Sequence, residues 1–183
     1  MIGPKAYIHL DRLKNNIWNI RRNIGERNLM IVVKANGYGH GLLDIARNLS
    51  NDSGIIFCVF TIEEGIAIRK EGINNHILVF SKIHQDWIDA AIDYGLWVNA
   101  CHQDDLELLN QYYKENRECP EIHIKFDTGM TRLGFDSNKA DNVFKYLSNH
   151  KYLPVNGIYS HFATADEGDL SYAEFQLNEF NKI

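Results

Sequence analysis

The sequence predicts an α/β fold and, within that class, an incomplete (β/α)8 barrel of about six βα units. Three observations carry this expectation. Short β-branched runs alternate with helical stretches along the chain, an order that calls for a parallel sheet with crossover helices. Successive strands are spaced about 20 to 35 residues apart, which is ordinary for βα units. No Gly/Ser-rich or Pro-rich linker interrupts the series. A doubly wound open sheet is the other architecture that fits the alternation. A full barrel takes eight units and typically ~250 residues, whereas 183 residues are present. The chain therefore reads as the first three quarters of a barrel, ending in or after its sixth helix.

The elements follow in order. The run from Ala6 to Leu10 stands apart and reads as a leading strand of some other sheet. Asp11 is placed to cap a helix that carries Leu13, Ile17, Ile20 and Ile24 on one face and ends at Gly25. Leu29 to Val33 is the first barrel strand, and Gly41 to Leu49 a short helix. Ile55 to Phe60 is the second strand. Thr61 and Glu64 then have capping-box spacing and open a helix to Lys70, with Gly72 beyond. The remaining strands are Ile77 to Phe80, Leu96 to Val98, Glu121 to Phe126 and Val155 to Ser160. Helices are expected over Asp86 to Asp93, Gln103 to Tyr113, Lys139 to Leu147 and from Leu170 onward.

Composition narrows the function. Hydrophobic residues make up 45% and charged residues 23%, the profile of a globular domain. Lys and Arg number 19 against 24 Asp and Glu, a net charge of −5. That balance argues against nucleic acid as the main partner. No apolar run approaches the roughly 18 residues of a membrane helix, and the N-terminus lacks the apolar core of a secretory signal. Cys58, Cys101 and Cys119 form no CxxC and cannot all pair. Reduced thiols in a cytoplasmic protein are the expectation.

In a barrel, residues just past the C-terminal strand ends face the active site, and three such segments carry unusual chemistry. In Val32-Val33-Lys34-Ala35-Asn36-Gly37-Tyr38-Gly39-His40-Gly41, Lys34 ends the first barrel strand after four apolar residues. Partial desolvation there favours the neutral amine, which can add to an aldehyde. The glycines lead into a helix whose N–H groups could hold an anion. The alternative is a lysine snorkelling to solvent beside a glycine-rich turn. Gly37, Gly39 and Gly41 make GxGxG and so do not fit a dinucleotide loop.

In the second segment, from Glu121 to Phe135, period-2 parity sets Ile122, Ile124 and Phe126 against the helices. His123, Lys125 and Asp127 then point into the barrel. A buried cation needs a partner. For Lys125, with Arg132 nearby, two solutions stand: an ion pair to an acid such as Asp127, or carbamylation to an anion that accepts from Arg132. The residues alone favour the ion pair. The third segment places His161 just after the sixth strand, as a titratable group or as a hydrogen-bonded rim histidine. The histidines show no HExxH or HxH spacing, so no catalytic metal is expected.

Taken together, these segments resemble the alanine racemase family. The run from Val32 to Gly41 looks like its pyridoxal-phosphate lysine motif. Lys125-Phe126-Asp127-Thr128-Gly129-Met130-Thr131-Arg132-Leu133-Gly134 is similar to its mid-barrel motif, and Ser160-His161-Phe162-Ala163-Thr164-Ala165-Asp166 to its third. The resemblance runs from about Ala6 to the end of the chain, in the family's order and approximate spacing. It implies an N-terminal barrel that holds pyridoxal 5'-phosphate, followed by a mostly β domain. Residues 1–10 would be a leading strand paired with that second domain, and residues 11–183 the N-terminal part of the barrel.

The resemblance also implies roles. Lys34 binds the cofactor covalently and acts as one of two acid/base groups. Tyr38 contacts the cofactor phosphate. Arg132 holds the cofactor phenolic oxygen and the substrate carboxylate. His161 supports the pyridine ring. Lys125 matches a position carbamylated in many members, which tips its reading toward the carbamate.

The implied reaction interconverts L- and D-alanine and supplies D-alanine for peptidoglycan. The implied assembly is a head-to-tail homodimer. The family's second base and main phosphate grip fall beyond Ile183, so this chain by itself is expected to be inactive. Other readings are a non-catalytic single-barrel pyridoxal-phosphate protein and a racemase of broader amino-acid range. Two departures from the family stand out: Gly37 where it usually has Ala, expected to loosen the turn, and Thr131 where it usually has Gly.

Overall fold

The structure, a computed structural model, describes Gly3 and residues 5–183. They fall into two compact units, one reaching to Phe80 and one running from Ser81 to Ile183.

The first unit opens with α1 (Leu10–Ile24). Residues 5–9, expected as part of a leading strand paired with a second domain, carry no regular structure here, and Leu10 already belongs to the helix. The N-cap is His9 and not Asp11, which sits in the first turn. A carboxylate there still meets the positive end of the helix dipole. Gly25, at φ 67°, ends α1 with its N–H on Arg21 O at 2.9 Å. Arg21 grips Asp52 with two parallel bonds, Nε to Oδ2 at 3.1 Å and Nη2 to Oδ1 at 2.8 Å. This fork joins α1 to the loop before the second strand.

Next come β1 (Leu29–Val32), a single helical turn α2 (Lys34–Tyr38), α3 (Leu42–Leu49), β2 (Ile55–Val59) and α4 (Ile62–Lys70). Strand β3 (Ile77–Lys82) begins in this unit. β1 pairs with β2, and β2 with β3, all parallel, in registers such as Val32↔Cys58 and Cys58↔Leu78. Every residue of β2 is buried, as a central parallel strand covered on both faces requires. The capping box at Thr61 and Glu64 forms as the spacing predicts.

The second unit contains α5 (Ile88–Asp93), β4 (Trp97–Ala100), α6 (Gln103–Asn116), β5 (Ile122–Asp127), β6 (Phe135–Asp136), α7 (Ala140–Asn149), β7 (Val155–Tyr159) and α8 (Ser171–Phe180). Helices α5 and α7 are each preceded by a turn of 3-10 helix, Gln85–Trp87 and Ser137–Lys139, which moves their starts past the expected ones. β5 is the hub: it pairs in parallel with β4, with β7 and, at its C-terminal end, with the two-residue β6. β6 is too short to leave a periodicity, and the sequence reading missed it.

The parity argument for β5 holds. Ile122, Ile124 and Phe126 are fully buried, and Phe126 packs on Phe135 and Phe144. His123 and Lys125 are buried too, on the opposite face. There His123 stacks on Trp97 with ring centroids 4.8 Å apart. Tyr159 donates its hydroxyl to Asn99 Oδ1 at 2.9 Å. Gly157, the register partner of His123, makes room for it: a Cβ at Gly157 would lie 3.1 Å from the imidazole.

Cys58, Cys101 and Cys119 are free thiols. Burial pushes Cys58 up to about 12, so it stays protonated at neutral pH. No helix among the described residues is long and apolar enough to cross a membrane.

Burial holds His123 below the ordinary histidine value, against a smaller opposing pull from Glu121. A group lowered in the folded state contributes stability above its unfolded value and loses it as pH falls through the folded one. Stability should therefore decline as pH drops below about 6.5. Urea unfolding at pH 8 and pH 5 checks this: His123→Gln should narrow the difference between the two midpoints.

Candidate active site at the strand ends

In the first unit, Val33 continues the ladder with its N–H on Cys58 O at 2.8 Å, and Lys34 follows it. Lys34 is half-buried, with Nζ 5.7 Å from the centroid of the Phe60 ring. The chain then winds through a turn of left-handed helix. Ala35, Asn36, Gly37 and Tyr38 have φ of 52°, 55°, 62° and 54°. For each of the three non-glycine residues this costs roughly 1–2 kcal/mol.

The turn persists because it is pinned. Gly37 N–H donates to Val33 O at 2.8 Å and Gly41 N–H to Asn36 O at 2.9 Å. Asn36 Oδ1 accepts from Leu42 N–H at 2.9 Å. That last bond occupies the first N–H of α3, one of the group expected to be able to hold an anion. Gly37 does more than loosen the turn. It is buried in the left-handed region, and a Cβ there would stand 2.7 Å from Ile45 Cδ1. Tyr38, at the end of the turn, is exposed.

In the second unit, Lys125 is only 7% exposed, and its Nζ donates to Leu133 O at 2.6 Å. Its hydrogen-bond acceptor is a carbonyl rather than the foreseen carboxylate. Asp127 Oδ1 is taken by the N–H groups of Gly129 at 2.8 Å and Thr131 at 3.0 Å. Burial holds Lys125 below the ordinary lysine value. Arg132 adds to this, and Cys101 and Asp127 oppose it. Asp127 is pushed up by burial, but the N–H donors of Thr131, Gly129 and Arg132 and the charge of Lys125 outweigh that and keep it low.

Arg132 is exposed on the loop that Asp127 organises. Gly134 closes this loop at φ 138°, where a Cβ would meet Asp127 N at 2.7 Å. Thr131 has φ 57°, a left-handed conformation that a β-branched residue adopts only under strain.

His161 follows β7 and is exposed. What holds its loop is Gln176, which the sequence reading did not single out. Gln176 is 1% exposed. Its Oε1 accepts from Ala163 N–H at 2.8 Å, and its Nε2 donates to His161 O at 3.0 Å. Nε2 also reaches Thr128 Oγ1 at 3.4 Å, itself 2.8 Å from Ser160 Oγ. Tyr172, one turn earlier on α8, donates to Gly129 O at 2.7 Å. The end of β5 and the loop after β7 are thus fastened to one helix. The available signal was a glutamine one turn from both Tyr172 and Phe180, on the apolar phase of α8. Beside it, Thr128, Ile158, Tyr159, Ser160, His161 and Phe162 line a cavity of about 330 Å³.

Parallel βα units with chemistry-bearing side chains past their strand ends define an α/β domain of the kind that gathers a site at one end of its sheet. A family model described as "Alanine racemase, N-terminal domain" matches residues 8–183, and the chain belongs to that family. It is 34% identical over 177 residues to an alanine racemase of Clostridium tetani (strain Massachusetts / E88), covering 96% of this chain and 46% of the relative. It is 35% identical over 177 residues to alanine racemase 2 of Bacillus subtilis (strain 168), covering 94% and 45%. Among solved structures, the alanine racemase of Clostridium difficile 630 superposes with a TM-score of 0.87 at 28% identity, covering 97% of this chain and 49% of that one. The fold is thus an incomplete (β/α)8 barrel of the alanine racemase N-terminal type. The chain spans about half the length of the curated relatives it matches.

Relief of strain at Thr131 is measurable. Thr131→Gly should raise stability by about 1 kcal/mol, read as a higher urea midpoint at unchanged slope. A lower midpoint would mean that the Thr131 side chain, with its bond to Gly129 O at 3.3 Å, outweighs the backbone cost.

Proposed function

We propose that this chain is the cofactor-holding barrel portion of a pyridoxal-phosphate-dependent alanine racemase, interconverting L- and D-alanine. The product would serve peptidoglycan synthesis in the cytoplasm, and the assembled enzyme would be a homodimer. The observation that carries the reading is Lys34 itself: a half-buried amine at the end of β1, followed by a pinned left-handed turn, within a family-matched domain.

The residues fit the group in kind. Pyridoxal 5'-phosphate needs an amine for its aldehyde and donors for its phosphate and phenolic oxygen. Lys34, the Tyr38 hydroxyl and the Arg132 guanidinium are of those kinds, and Tyr38 and Arg132 are exposed. When bound, the cofactor supplies an electron sink that makes loss of the substrate α-proton accessible near neutral pH.

The chain's own residues do the rest. Lys34 would hold the cofactor through its aldehyde, and its amine would take or return a proton at the substrate α-carbon. Arg132 would orient the substrate through its carboxylate. Tyr38 would hold the phosphate, and His161 would back the ring. Inversion needs a second acid/base group on the opposite face. Loss of such a group typically costs ~10²–10⁴ in rate.

Incubation with pyridoxal phosphate, borohydride reduction and peptide mapping tests this. The pyridoxyl label should lie on Lys34. Label confined to another lysine removes the assignment.

Lys125 is read as carbamylated. Its neutral amine, favoured by burial, adds to carbon dioxide through a new N–C bond and releases one proton. The anion formed accepts from Arg132 and steadies it. With ¹³C-labelled bicarbonate, a carbamate carbon signal should appear and vanish in Lys125→Ala. Its absence from the unaltered protein refutes the modification.

A further inference from the structure

We propose that Glu64, in the first turn of α4, is a positioning residue for Lys34. The proposal rests on reading Lys34 as the cofactor lysine, and extends it to a residue outside the three motifs.

The capping box explains only part of what Glu64 does. Within the box, Thr61 Oγ1 accepts from Glu64 N–H, and Glu64 Oε2 accepts from Thr61 N–H, each at 3.3 Å. The same carboxylate takes two further donors. Oε2 accepts from Phe60 N–H at 2.9 Å, and Oε1 accepts from Asn36 N–H at 3.4 Å. A cap needs neither of these. Asn36 lies two residues after Lys34, inside the left-handed turn. Phe60 carries the ring that lies 5.7 Å from Lys34 Nζ.

One carboxylate therefore ties down both the backbone that leaves Lys34 and the residue whose ring faces its ammonium. Bonds to an ionised acceptor are the stronger kind, which suits a turn held in an unfavourable conformation. The consequence for Lys34 is positional. By fixing Phe60 and the backbone of Asn36, Glu64 holds the Lys34 amine against the aromatic face and limits how freely it swings away.

Competitive labelling of lysines tests this without cofactor or turnover. The folded chain is treated with a trace of acetic anhydride across a pH series, and Lys34 is quantified by peptide mass spectrometry against Lys70, an exposed lysine at the far end of α4. Glu64→Gln should release Lys34 from the Phe60 face and raise its labelling ~2- to 5-fold relative to Lys70. Glu64→Asp keeps the charge at the helix start but is one methylene too short to span both segments. It should give a smaller rise, and it stands in if Glu64→Gln fails to fold.

Thr61→Ala is the matched control. It weakens the same cap and leaves the bonds to Phe60 and Asn36, so Lys34 should not change. If Thr61→Ala shifts Lys34 as much as the Glu64 variants do, or if folded Glu64 variants leave it unmoved, Glu64 is only a cap and the proposal falls. Failure of the cofactor reading shows separately, as absence of pyridoxyl label on Lys34 in the unaltered protein.

Discussion

Parallel pairing is the constraint from which the rest follows. A parallel strand cannot return through a tight turn, so each must be followed by a crossover that brings the chain back to its starting edge. Within each unit this sends every strand's C-terminal end to the same side. Lys34 after β1 and Phe60 after β2 come together for this reason, as do the loops after β5 and β7. The chemistry is gathered by strand direction, and local loops only adjust it.

The second demand on the chain is to hold polar groups inside. One face of β5 and its neighbours is apolar. The other carries Asn99, His123, Lys125 and Tyr159, with Asn99, His123 and Lys125 buried. Such groups are costly unless bonded. Tyr159 and Asn99 satisfy each other, Lys125 finds a carbonyl, and His123 relies on stacking, its Nδ1 lacking a hydrogen-bond partner among the described residues. A purely apolar interior would be easier to stabilise. Burial on this face gives Lys125 its lowered proton affinity, the property on which a carbamate would depend.

Much of this was legible in the residues. A continuous apolar run marked β2, because a strand buried on both faces leaves a strong signal. Alternation in β5 placed Lys125 on the opposite face from Ile124. The spacing of Thr61 and Glu64 foretold the cap. Thr131, singled out as a departure, does sit in a left-handed conformation. What escaped has physical reasons too. The left-handed course of Ala35 is held by the bonds that Asn36 makes to Glu64 and Leu42, and an alanine does not announce it. Gln176 acts through tertiary contacts to Ala163, His161 and Thr128, which no local pattern encodes. Ala6 to His9 have strand-like composition but no strand partner among the described residues.

The pairing of His123 with Gly157 bears on how this sequence can change over time. With a side-chain carbon at Gly157 only 3.1 Å from the imidazole, the two positions compete for a single volume. An alanine at position 157 would need the imidazole to give by a few tenths of an ångström while the histidine stays. A smaller residue at 123 eases that constraint, and a side chain at 157 becomes a natural filling for the space released, so changes at the two sites are coupled.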